Sequence, residues 1–98
     1  MKAVFNGATI AESDNTILIE GNHYFPKESV DMDHLEESEH TSTCPWKGNA
    51  NYYHVIAHGD SVENGAWQYK EPKEGSVEKV GEDFTEYIAF WNGVEVVE

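Results

Sequence analysis

Three side chains able to do chemistry stand beside residues that fix the backbone. Cys44 and Lys47 lie in Thr43-Cys44-Pro45-Trp46-Lys47-Gly48, and Glu20 opens Glu20-Gly21-Asn22. Pro45 fixes its own φ and pushes Cys44 toward an extended conformation, while Gly48 permits angles closed to its neighbours. The stem of Lys47, between Trp46 and Gly48, is expected along an aromatic surface. An ammonium held that way is either paired with a carboxylate or partly desolvated with a lowered pKa. Glu20, at the end of an apolar run, is the candidate partner: it would pair with Lys47 or move a proton, and Lys47 would contact an anionic or carbonyl group. The same two residues also fit a structural ion pair tying two loops together. Cys44 is either a small apolar filler or a reactive thiol activated by Lys47 or His40, but a single cysteine leaves no resolving partner. Tyr24, Trp46, Tyr53 and Trp67 are the candidate ligand-binding residues, lining a cavity for a small polar metabolite with a flat or apolar face. Aromatic residues in strands serve equally well as core.

The elements that must position these residues read as mostly β. Lys2 to Phe5 and Ala8 to Glu12 flank Asn6-Gly7, the strongest type I′ hairpin signal. Thr16 to Glu20 reads as a buried strand, turned by Gly21-Asn22 into His23-Tyr24-Phe25 and ended by Pro26. Lys27 to His40 is either one or two helical turns or an irregular crossing. Asn51 to Ala57 and Ala66 to Tyr69 have strand composition. Val77 and Val80, three apart in a polar stretch, predict a short helix over a sheet edge. Tyr87 to Trp91, Asn92-Gly93 and Val94 to Val97 read as a second hairpin.

Length and charge bound the class. Ninety-eight residues make one domain spanning 1–98, and one cysteine excludes an intramolecular disulfide, which fits a reducing compartment. The N-terminus turns polar before a signal-peptide core could form, and no window approaches the ~20 apolar residues of a membrane span. A soluble cytoplasmic protein without membrane contact is expected. Six lysines, no arginine and a formal net charge of −13 argue against nucleic acid, whose phosphates are bound through Lys and Arg.

Four blocks, Glu20-Gly21-Asn22-His23-Tyr24-Phe25-Pro26, Thr43 to Tyr53, Ala66-Trp67-Gln68-Tyr69 with Pro72, and Ala89-Phe90-Trp91 before Val94, resemble the family known as domain of unknown function 427. The resemblance spans nearly the whole chain. It implies a mainly β domain of several short, coiled antiparallel sheets with one or two short helices, the β-tent type, similar in architecture to methionine sulfoxide reductase B and the Yippee-type zinc proteins. The family is sometimes labelled nucleotidyltransferase-like. Nucleotidyl transfer needs carboxylates holding Mg²⁺ against a triphosphate, and only Asp31-Met32-Asp33 answers, with no glycine-serine pair or phosphate cradle. The paired Cys-x-x-Cys knuckles of β-tent zinc sites are absent; Cys44 with His40 and one of His23, His54 or His58 would be the remaining ligands, and no metal or cofactor is expected. Two functions follow: a small-molecule-binding or small enzymatic domain, or a noncatalytic assembly module whose exposed strand edges or aromatic patch make a homodimer.

Overall fold

The Asn6-Gly7 dipeptide forms the turn its chemistry favours. In a computed structural model describing residues 1–98, both residues have positive φ, 49° and 81°. They join β1 (Lys2–Phe5) to β2 (Ala8–Glu12) as an antiparallel pair. The next hairpin, β3 (Ile17–Ile19) with β4 (Asn22–Tyr24), turns one residue earlier than the sequence reading placed it. Its two left-handed residues are Glu20 and Gly21, at φ 52° and 83°. Asn22 therefore belongs to the strand.

Single 3₁₀ turns at Lys27–Ser29 and Met32–His34 carry the chain across to the largest sheet. That sheet is antiparallel in the order β5 (Leu35–Cys44), β6 (Gly48–Ala57), β7 (Asp60–Gln68) and β8 (Ile88–Phe90). β6 and β7 turn at His58-Gly59, again at positive φ. Helix α1 (Ser76–Val80) lies where the Val77–Val80 spacing predicted one. The final strand, β9 (Glu95–Val97), corrects the second hairpin reading. Asn92 and Gly93 do turn at positive φ, but β9 pairs with β1 in the order β2-β1-β9, and β8 pairs with β7.

The architecture is thus mainly β, in three antiparallel sheets with one short helix. Phe25 bridges the β3–β4 hairpin to the large sheet through reciprocal backbone bonds with Ile88, 2.8 and 2.9 Å long. The large sheet is covered on both faces. Strand alternation sends Tyr53, Val55, Ala57 and Ala66 to one core, against Ala3, Ile10 and Phe25 of the N-terminal elements. It sends Ala50, Trp67, Tyr69 and Ala89 to the other, against Ile17, Ile19 and Tyr24 of the hairpin and Phe84. No helix is long and apolar enough to cross a membrane.

A bulge interrupts the β6–β7 ladder between Tyr53 and Val55. Asn64 sits there at φ 55°. Its side-chain Oδ1 accepts from Ser38 Oγ, and its backbone N–H donates to His54 Nδ1 at 3.1 Å. Gly65 follows because a Cβ at that position would come within 2.7 Å of Val62 Cγ1 and 3.1 Å of Val55 Cγ2. The bulge also bonds Trp91 twice: Asn64 O accepts from its indole N–H at 2.6 Å and Gly65 O from its backbone N–H at 2.9 Å.

Candidate functional site

Lys47 enters the fold as the last residue before Gly48 in the β5–β6 connection, where Cys44 pairs with Gly48 across the loop. Gly48 takes φ 110°, and a Cβ there would lie 3.1 Å from the backbone nitrogen of Lys73. That close approach allows Lys73 N–H to donate to Lys47 O at 2.8 Å, while Lys73 Nζ donates to Pro45 O at 2.9 Å. The loop is fixed from outside by a neighbouring segment.

Inside, Lys47 is buried, the one charged side chain that is. Its Nζ lies 4.9 Å from the centre of the Trp46 indole and 5.7 Å from that of the Tyr69 ring, and donates to Glu20 Oε1. The pair is unequal: the Lys47 side chain is 8% exposed and that of Glu20 55%. Burial pulls the pKa of Lys47 down as the largest single influence. The Glu20 hydrogen bond and the negative charge available on Tyr24, Cys44 and Glu20 together overcome it, leaving the ammonium above the ordinary lysine value.

Lys47 forms one wall of a hollow of about 290 Å³. The rest of its lining is aromatic apart from Asn22: Tyr24 from β4, Tyr52 from β6, Trp67 from the end of β7, Tyr69 just after it, and Trp91 after β8. The rings are locked to one another. Trp67 meets Tyr24 edge-on at 6.0 Å and Trp91 edge-on at 5.9 Å, and its indole N–H donates to the Tyr24 hydroxyl at 3.0 Å. Tyr52 Oη is hydrogen-bonded with Ser42 Oγ at 3.0 Å, and its ring lies 4.6 Å from that of His40. Burial raises the pKa values of Tyr24 and Tyr69, so both remain hydroxyl donors at neutral pH.

The structure therefore gathers Lys47, Tyr24 and Trp67 at one hollow, with Glu20 on the outer side of the ammonium. Trp46 stands outside it: the Lys47 and Lys79 ammoniums lie 4.9 and 4.6 Å from the centre of its ring, and it lines a separate hollow with Lys73 and Ser76. Tyr53 points to the opposite face of the sheet and is a core residue there. Its hydroxyl donates to Gln68 Oε1 at 2.8 Å, and Gln68 Nε2 donates to Glu86 O at 2.8 Å. Period-two alternation puts Tyr52, not Tyr53, on the face of the hollow. Asn22, Tyr69 and Trp91 also went unrecognised, although all three lie in the motif blocks.

Cys44 packs partly buried at the edge of the same aromatic cluster. Burial alone would raise its pKa. The backbone N–H groups of Lys47 and Trp46 and the Lys47 charge outweigh that effect and hold the thiol below its ordinary value of 9.0. Alkylation of Cys44 by iodoacetamide is expected to reach half its maximal rate below pH 9.0. A midpoint at or above that value would refute the activation.

The other candidate chemistries meet different fates. Asp31 is the cap of the second 3₁₀ turn, its Oδ1 accepting from Asp33 N–H at 3.1 Å, and its Oδ2 lies 3.7 Å from His34 Nε2. The Asp31-Met32-Asp33 pattern is accounted for as local turn structure. No three of the His, Cys, Asp and Glu side chains cluster closely enough to hold a metal ion. His23 instead bonds Thr16, 2.9 Å from Nδ1 to Oγ1.

No curated protein matches the chain. The family described as a domain of unknown function (DUF427) matches residues 1–98, the full length. The four sequence blocks, which build the loop, the hairpin and the aromatic walls of the hollow, are those that carried the resemblance. The chain belongs to the DUF427 family.

Proposed function

We propose that this domain binds a small molecule in the aromatic hollow, with a flat or apolar face of the ligand against Trp67, Trp91 and the tyrosines and a polar acceptor toward Lys47. One observation carries the reading: the sole buried charged side chain of the protein lines the hollow whose other walls are almost entirely aromatic. Ligand sites combine such apolar walls with few, well-placed polar groups, and the volume here is near the ~300 Å³ lower end of their range, which matches a ligand of one or two rings.

The competing reading, an assembly module whose motif residues only lock the fold, is supported by the Lys47–Glu20 pair and by the Lys73 contacts that tie the loop down. Edge pairing of two copies through β5 is disfavoured by exposed Glu36, Glu37 and Glu39 along that strand. Titration with a set of mono- and bicyclic aromatic compounds, followed through the indole N–H resonances of Trp67 and Trp91, separates the two. Shifts confined to the hollow are expected. A set of compounds that leaves both indoles unmoved at millimolar concentration would sink the binding proposal.

A further inference from the structure

Glu20 has an arrangement that a merely structural partner of Lys47 does not need. It occupies a left-handed turn position, φ 52°, which is usually filled by Asn, Asp or Gly. Its side chain is more than half exposed, while that of Lys47 is buried with Nζ near the rings of Trp46 and Tyr69.

The hollow itself is rich in donors. An ammonium carries three N–H groups, and Glu20 alone accepts from Lys47. The Tyr24 hydroxyl accepts from Trp67 and keeps its own proton to donate. Tyr69 and Asn22 bring a further hydroxyl and an amide to the lining. No carboxylate lines the hollow to accept from these groups. One ammonium, set in a chain of net charge −13, matches a single negative charge and disfavours a di- or triphosphate.

Resting on the binding reading above, we infer that the hollow takes a planar aromatic monocarboxylate, whose carboxylate accepts from the Lys47 N–H groups that Glu20 leaves free. The ring of the acid lies against Trp67 and Trp91. Glu20, outside the hollow, shares the ammonium with the ligand, and its charge opposes the incoming carboxylate.

The test compares 2-naphthoate with its neutral counterpart 2-naphthamide, each titrated into wild type, Glu20→Gln and Lys47→Met, with Kd taken from the Trp67 and Trp91 indole resonances. Glu20→Gln is expected to tighten naphthoate about tenfold by removing the competing charge, and to leave naphthamide within about twofold. Lys47→Met is expected to weaken naphthoate about tenfold or more, and naphthamide by a smaller factor, since its carbonyl accepts from the ammonium without a charge. Naphthoate bound equally or more weakly by Glu20→Gln than by wild type, while naphthamide still binds, overturns the placing of the acid's carboxylate on Lys47. If neither compound moves either indole in any of the three proteins, the binding reading falls together with this one. The Glu20→Gln arm decides the matter even where Lys47→Met folds poorly, because Gln preserves the shape of an exposed side chain.

Discussion

Replacing Phe84 by alanine is expected to cost about 3–5 kcal/mol of folding stability, the usual loss for a fully buried phenylalanine whose cavity cannot collapse. Phe84 is 0% exposed and meets the rings of Tyr24 and Tyr69 edge-on at 6.3 and 6.0 Å. Those two tyrosines are lining residues of the hollow, so the damage reaches the site as well as the core. Trp91→Ala removes a larger ring, but from a position that is half exposed, and with the indole bond to Asn64 O it is expected to cost about 2 kcal/mol. Urea denaturation of the two variants beside wild type checks both values. Equal losses would mean that the hollow's outer wall, and not the ring packing behind it, holds the hairpin to the large sheet.

The second large effect concerns the unequal ion pair. Glu20→Ala leaves an ammonium without its partner in a buried position, and should destabilise by ~2–3 kcal/mol, below the ~3–5 kcal/mol of a fully buried pair because Glu20 itself is half in water. Lys47→Met keeps the apolar stem and returns a carboxylate to solvent, with a loss of about 1 kcal/mol or less. The order of these two losses is the prediction. Their reversal would place the weight of the contact on Glu20. A pH dependence follows with a definite sign. The folded state raises the Lys47 pKa above its ordinary value of 10.5, so the pair's contribution is complete below that value and is lost as pH climbs through the raised one. Wild type should therefore lose its stability margin over Lys47→Met in alkaline solution above pH 10.5. Chemical denaturation at pH 8 and pH 11 of both proteins measures this.

Much of the local structure was legible in the residues, and where it failed the reasons are specific. Asn6-Gly7 announced its hairpin because a two-residue turn with both φ angles positive is a local requirement. Asn92-Gly93 announced a turn equally well, but which strand β9 joins depends on β1, some ninety residues away in the chain, and no turn chemistry encodes that. The reading of Lys27 to His40 as helical turns or an irregular crossing fits the two 3₁₀ turns but misses that Leu35 to His40 opens β5, because Glu36-Glu37-Ser38-Glu39-His40 lacks alternating apolar residues. As an edge strand with exposed side chains, it needs none. The Lys47–Glu20 contact was legible because a lysine amid Trp and Gly demands a partner. The choice of Tyr53 over Tyr52 failed on a parity of one residue, which the sequence leaves open when two tyrosines adjoin. Trp91 could be placed only through the β7 bulge, a feature with no marker beyond Asn64-Gly65.

The β7 bulge fixes the outer wall of the hollow. Trp91 looks, from its exposure, like a residue free to sweep over the opening, yet both its indole and its backbone N–H are committed to β7. The outer wall thus moves with the largest sheet and not as a flap. On the binding proposal, a ligand entering has no wall to order, and the ~0.5–1.5 kcal/mol lost for each side chain immobilised on binding has already been met in folding. Selection would then rest on a shape held before anything arrives.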